Sequence, residues 1–160
     1  MKVICVSGSP GTGKTTLAKK IAKEKGFKYV DVTKIVKSHE LYDGYDNKKK
    51  CYLVDVKKLN KALIKIIEKS GEGLVIDSHL SHYLPKKYVN LCIITKCDLK
   101  VLEKRLKKRG YSQNKIRENL DCEIFDVCLS EAKEGRHKVK VVDTSKMKDL
   151  REFLAKSKHL

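Results

Sequence analysis

The chain has 160 residues, 41% of them hydrophobic, which is one domain's worth and enough to bury a full apolar core. Its apolar runs extend to four or five residues, too short to cross a bilayer as a helix, so no membrane partner is expected. The formal charge is +17, from 37 basic against 20 acidic side chains, and such a field attracts polyanions such as nucleotides and RNA. A Lys-rich surface is also common in proteins from hot environments, and the lysines here are spread along the chain without aromatic interleaving, so the charge points toward an RNA or ribosomal partner without establishing one.

In chain order, the first strand is expected at about Lys2–Ser7. It runs directly into a glycine loop at Gly8, so the N-terminus reads as a strand and not as a signal peptide, and the cytoplasm is the expected location. A helix near Lys14–Lys25 ends at Gly26, and a short strand, Lys28–Val32, precedes a brief helix and a polar stretch, Tyr42–Lys50. The spacing of Leu59, Leu63, Ile66 and Ile67 predicts an amphipathic helix over Asp55–Ser70, with Asp55 as its cap. Strands follow near Leu74–Asp77 and Val89–Thr95, then a helix from Asp98 to Lys108. A polar turn, Arg109–Asn114, leads into one long helix ending near Glu134, and a strand at Lys138–Val142 and a helix from about Lys146 complete the chain.

Strands alternating with helices through short connections predict an α/β fold, a parallel sheet covered by helices on both faces. Ligands in that architecture bind at the carboxyl ends of the strands, where the glycine loop falls. Six cysteines (Cys5, Cys51, Cys92, Cys97, Cys122 and Cys128) form no Cys-x-x-Cys pair, and several lie among apolar residues, which favours buried, reduced thiols over a metal site.

The strongest chemical signal is Gly8-Ser9-Pro10-Gly11-Thr12-Gly13-Lys14-Thr15, a phosphate loop between a hydrophobic strand and a helix. Gly11 and Gly13 let backbone amides turn toward phosphate oxygens. Lys14 is expected to reach the β- and γ-phosphates of ATP, Thr15 to ligate Mg²⁺, and Thr16 to contact the α-phosphate. Asp77 ends an apolar strand, where P-loop proteins place the carboxylate that orients Mg²⁺ and its waters; an Asp there also serves as an ordinary turn cap. His79, two residues on, is a candidate for a phosphate or a water, with a structural role as the alternative. Arg105 and Arg109 lie one helical turn apart before Gly110-Tyr111, and guanidinium groups at a flexible segment suit a lid closing over ATP. Tyr42-Asp43-Gly44-Tyr45-Asp46 suits a base-stacking and ribose-binding turn or a plain polar turn, and the residues leave the two open.

Taken together these strings, with Leu41 before the Tyr-Asp-Gly-Tyr-Asp run, Asp77-Ser78-His79, Arg105 through Tyr111 and Asn119-Leu120-Asp121-Cys122-Glu123-Ile124-Phe125, resemble the adenylate kinase isoenzyme 6 family over nearly the whole chain. That family is also described as coilin-interacting nuclear ATPase and as a small-subunit ribosome-assembly factor. The resemblance implies a P-loop NTPase of nucleoside monophosphate kinase type in three layers. It implies a five-stranded core sheet, a monophosphate-binding segment near Thr33–Val56 and a short lid near Lys108–Glu118; the sequence leaves the oligomeric state open, with a monomer favoured. It implies broad-specificity transfer of phosphate from ATP to AMP with ATPase activity beside it. A small-subunit ribosomal protein and pre-rRNA are the implied partners. Carried onto matching positions, Gly11, Gly13, Lys14, Thr15, Thr16 and Arg109 would hold ATP, with Asp77 and His79 in the second nucleotide motif and Lys146 near the adenine. The acceptor would meet Lys37, Tyr42, Asp43, Gly44 and Tyr45. Two departures stand out. No Arg precedes Lys104, so Lys37 takes the place of the family's monophosphate-gripping Arg, and Ser78 replaces the aromatic residue between the Asp and the His. Two further readings stay open, an ATP-driven assembly switch that mainly hydrolyses ATP and a kinase for another small acceptor.

Overall fold

A computed structural model describes residues 1–47, 51–146, 151–153 and 155–156. Its central strand, β1 (Val3–Ser7), is buried along its whole length, as a parallel strand covered on both faces must be. Alternate residues face opposite sides. Val3 and Cys5 join one apolar cluster, and Ile4 and Val6 join the other.

Helix α1 (Lys14–Lys25) covers the second side with Leu17, Ala18, Ile21 and Ala22, packed on Val75, Ile93 and Val142. Strand β2 (Lys28–Asp31) runs into α2 (Val32–Ser38), whose first turn is capped by the Asp31 carboxylate. After a hairpin, β3 (Tyr42–Asp46) and β4 (Cys51–Val54), comes α3 (Val56–Lys69). The Asp55 side chain accepts from Lys57 N and Lys58 N, so the expected cap is in place. Leu59, Leu63 and Ile67 turn that helix's apolar stripe onto the first cluster. Then follow β5 (Leu74–Asp77), β6 (Leu91–Lys96), α4 (Leu99–Lys108), α5 (Gln113–Ile124), α6 (Val127–Glu134) and β7 (Val139–Asp143).

The five-stranded sheet has the order β2-β5-β1-β6-β7, with every neighbouring pair parallel. From β1 the chain runs through α1 to β2 at one edge, and after β5 it crosses β1 to β6 and then β7 at the other. The crevice beyond the carboxyl end of β1 is therefore the topological switch point, and the glycine loop lies there. Among the described residues no helix is long and apolar enough to cross a membrane.

Three stretches depart from the sequence reading. The polar stretch Tyr42–Lys50 is largely a β-hairpin, with Tyr45 opposite Tyr52 and Asp46 opposite Cys51; residues 48–50 lie outside the described residues. Tyr42 and Tyr45 pack against Tyr52 at centroid distances of 4.5 and 5.1 Å, and those cross-strand aromatic contacts outweigh the polar letters between them. The single helix expected to end near Glu134 is two helices. Asp126 has a φ of 52°, and Lys96 fastens the break by bonding Glu123 O at 2.8 Å and the Asp126 carboxylate. No Gly or Pro marks that break, so the helical pattern runs through it unbroken in sequence. The helix expected from about Lys146 falls mostly outside the described residues; residues 151–153 and 155–156 are helical, and Phe153 is buried in the α1-side cluster.

Leu63 is fully buried between α3 and the sheet, whereas Phe125 at the α5–α6 break is 73% exposed. Leu63→Ala is expected to cost ~2–5 kcal/mol in urea unfolding, and Phe125→Ala ~0.5 kcal/mol or less.

Candidate active site

The loop after β1 is shaped by positions that admit only glycine. Gly8 has a φ of 137°, and a Cβ there would meet Thr95 Oγ1 at 2.4 Å and Thr95 O at 2.6 Å. Gly13, with a φ of 83°, turns the chain into α1. The loop's carbonyl oxygens are met by donors from within the loop and from outside it. Thr12 Oγ1 donates to Ser9 O at 2.7 Å, Lys14 Nζ to the same oxygen at 2.9 Å, and Thr144 Oγ1 to Thr12 O at 2.6 Å. Arg105 Nη1 donates to Gly11 O at 3.3 Å.

Beneath the loop sits a buried carboxylate. Glu123 is 4% exposed and accepts from Ser9 Oγ at 2.8 Å and from Cys97 N at 2.9 Å, with Lys96 Nζ at 3.2 Å. A buried charge is tolerated only when paired and hydrogen-bonded in this way. On the other side, Ser7 Oγ shares a 2.7 Å hydrogen bond with His82 Nδ1, and His82 Nε2 donates to Glu131 Oε2 at 2.9 Å. Burial holds this imidazole below its ordinary pKa, against the pull of Glu131. The set has the letters of a hydrolytic triad, but Ser7 is wholly buried, so it braces the strand end and reaches no substrate.

The charged groups gather above the loop. Lys14 is held down to a pKa of about 8 by burial first, with Arg109 pushing the same way and Asp77 opposing. Asp77 ends β5 and accepts at Oδ2 from Thr15 Oγ1 at 2.6 Å and from Tyr29 OH at 2.8 Å. The Tyr29 phenol is raised well above its usual value by burial and then by that carboxylate. The Thr15 hydroxyl and the Asp77 carboxylate are therefore adjacent hard oxygen donors, the kind Mg²⁺ takes. His79 stands at the rim with an exposed edge; enclosure by the cleft, and then Lys14, push it down to about 4, so it is neutral at neutral pH.

These residues line a cleft of about 770 Å³ that includes Lys14, Thr15, Asp77, His79, Arg109 and Lys115, with Gly11, Gly13 and Thr16 in its floor. A second cleft, about 420 Å³, contains Thr33, Lys37, Tyr45 and Tyr52 and adjoins the first through Ser78, His79, Tyr111 and Lys115. A third, about 570 Å³, opens behind the loop between Arg105, Arg109 and Thr144. A groove of about 730 Å³ along α3 lies at the amino ends of β2 and β5, beside Lys28 and Leu74. It shares no residue with the phosphate loop, so it is no part of this site.

Not every sequence candidate converges. Arg105 faces the outside of the loop, bonding Gly11 O and lying 3.4 Å from Cys97 Sγ. Lys37 lies over the Tyr52 ring at 5.9 Å. Only Tyr45 of the Tyr-Asp-Gly-Tyr run lines the second cleft; Tyr42 stacks on Tyr52, Asp43 pairs with Lys58 at 2.8 Å, and Gly44 marks a register shift. Lys146 is exposed, 3.8 Å from Asp143, and lies outside all three clefts. Among the described residues no cluster of His, Cys, Asp and Glu is arranged to hold a metal ion by itself, and the six cysteines are free.

Sequence reasoning assigned no part to Glu123, Lys96, Thr95, Thr144 or Tyr29. One signal was available for Glu123. It follows Ile116 and Leu120 at helical spacing, so an acid occupies the face that packs inward.

The AAA domain family model matches residues 4–126. An adenylate kinase isoenzyme 6 homolog of Dictyostelium discoideum is 39% identical over 140 residues, covering 88% of this chain and 79% of its own. A Caenorhabditis elegans homolog of the same isoenzyme is 36% identical over 132 residues, covering 82% of this chain and 72% of its own. The solved shikimate kinase of Bacteroides thetaiotaomicron superposes with a TM-score of 0.59 at 12% identity, over 99% of this chain and 97% of its own, a likeness of fold alone.

The Lys14 shift has a thermodynamic consequence. Its folded pKa of about 8 lies below the ordinary 10.5, so between those values the unfolded chain binds more protons. Stability from this residue therefore rises with pH across that window and is flat below it. Thermal melts at pH 8 and pH 10 are expected to show the wild type gaining more than Lys14→Met; equal gains would place Lys14 in water.

Proposed function

The chain belongs to the adenylate kinase isoenzyme 6 family, and from that premise we propose that it transfers the γ-phosphoryl group of ATP to a nucleoside monophosphate, AMP by preference. The observation that carries the reading is the pair of adjoining clefts. A phosphotransferase needs two anionic substrates end to end, whereas hydrolysis needs one nucleotide and a water.

Little covalent work falls to the protein, which must align two anions, exclude water and neutralise charge. The loop amides and Lys14 bind the donor's β- and γ-phosphates from below, and the low Lys14 pKa reflects an ammonium that an added anion would favour. Thr15 and Asp77, the latter through water, would hold Mg²⁺, which would supply positive charge against the phosphates when bound. Arg109 enters from the end of α4 with a forked guanidinium for the transferring group. Arg105 holds the loop's outer carbonyl and so supports the phosphates through the backbone. Neutral His79 offers hydrogen bonding at the junction without adding charge. The hairpin and α2, within segment 33–56, form the acceptor's wall, and segment 108–118 with Tyr111 serves as the lid.

A second reading is favoured by the +17 charge and by the lack of any Arg before Lys104. In it the chain is an ATP-driven switch in small ribosomal subunit assembly, with water as acceptor and a ribosomal protein or pre-rRNA as partner. One assay separates the two. Purified protein is given ATP labelled at the γ-position, with and without AMP, and the products are resolved. Label appearing in ADP made from AMP supports the kinase; label released only as free phosphate, indifferent to AMP, supports the switch. Lys14→Ala is expected to lower either turnover ~100-fold or more, and full activity in that variant would remove the phosphate-loop assignment.

A further inference from the structure

The two clefts meet at Thr33, Cys51, Ser78, His79, Tyr111 and Lys115. Whichever monophosphate is the acceptor, its phosphate must lie at that junction, because the attacking oxygen has to come in line with the donor's γ-phosphate. A dianion there needs a cation. Lys14 and Arg109 line the donor cleft and not the acceptor cleft, and Lys37 lines the acceptor cleft and not the donor cleft. Of the six shared residues, only Lys115 carries positive charge at neutral pH.

Its setting favours this use. Lys115 stands in the first turn of α5, its amide donating to the capping Ser112 Oγ at 3.3 Å. A cation at a helix N-terminus opposes the helix dipole, so the position gains nothing from it as helix structure. Its ammonium lies 4.1 Å from the Tyr111 ring centroid, and the aromatic face steadies it where the clefts join. Glu118, one turn on, lines the donor cleft.

We propose that Lys115 is the residue that binds the phosphate monoester of the acceptor nucleotide, the part for which the position of Lys37 supplies no guanidinium. This rests on the kinase reading above. It makes α5 the carrier of acceptor specificity toward phosphorylated nucleosides, with Lys37 confined to the nucleoside side of the cleft.

The test uses the full chain and two probes that differ by the phosphate alone, AMP by calorimetry and adenosine by ligand-observed NMR. Lys115→Met is expected to weaken AMP about tenfold or more, the loss of one charged hydrogen bond, while leaving adenosine within about twofold. Lys115→Arg is expected to recover most of the AMP affinity, and Lys37→Met to cost less than Lys115→Met. Unchanged AMP binding in Lys115→Met overturns the assignment, and so does an equal loss of AMP and adenosine, which would mark a structural role. If the wild type binds AMP in this way but passes no label to it, the kinase reading fails and the Lys115 assignment stands. A wild type that does not bind AMP overturns both.

Discussion

A loop that turns its amides toward a phosphate leaves its carbonyls facing the protein, and those oxygens must find donors of their own. That requirement organises this molecule. Ser9 O is met by Thr12 and Lys14, Gly11 O by Arg105 on α4, and Thr12 O by Thr144 after β7. The Ser9 hydroxyl, in turn, is fixed by Glu123 on α5. Four separate elements converge on one turn, and they can do so because β1 occupies the middle of the sheet with β5 and β6 as neighbours. Thr95, at the end of β6, fills the space that a side chain at position 8 would need. The loop's geometry and the sheet order are one constraint.

The charge distribution follows from the same arrangement. Above the loop, burial depresses the Lys14 pKa, Arg109 adds to that shift, and Asp77 opposes it. Below it, Glu123 is buried but bonded by Ser9, Cys97 and Lys96. The site therefore keeps the buried Glu123 underneath, where it holds the scaffold, and places Lys14, Arg109 and Lys115 on the side open to phosphate. Of the carboxylates on that side, Asp77 has two hydroxyl partners, Thr15 and Tyr29, which suit it to a hard cation.

Much of this was legible from residue patterns. A glycine loop between an apolar strand and a helix, the strand ending in Asp77, and the stripe of Leu59, Leu63 and Ile67 each carry a local signal strong enough to survive packing. What stayed hidden depends on contacts between distant residues. The hairpin at Tyr42–Val54 exists through Tyr52 meeting two tyrosines across the turn, and the letters around it are those of an ordinary loop. The break at Asp126 is made by Lys96, thirty residues earlier in the chain. Arg105 and Arg109 look equivalent one turn apart, yet α4 ends between them, so one grips the loop's backbone and the other lines the donor cleft. Periodicity gives a helix face; it does not say which side chain points back into a carbonyl.

The distribution of basic residue types separates the two halves of the site. Two guanidinium groups stand near the loop: Arg105 on α4 bonds its backbone, and Arg109, the C-cap of that helix, lines the larger cleft. The acceptor side holds ammonium groups only, Lys37 and Lys115, each resting on a tyrosine ring. A guanidinium fixes an anion through two parallel bonds in one plane, whereas an ammonium is a point charge on a flexible stem. On the proposed reading, the donor would be held to one orientation, as in-line transfer requires, and the acceptor's phosphate by attraction with little angular preference. Such a site selects an acceptor by the presence of a phosphate more than by its pose. Discrimination among bases is then left to the walls of the second cleft, where Tyr45 and Tyr52 present aromatic faces and Val36 and Leu80 present apolar ones. None of these four side chains carries an amide or carboxylate to read a base edge, so a broad range of nucleoside monophosphates is the expected consequence of this lining.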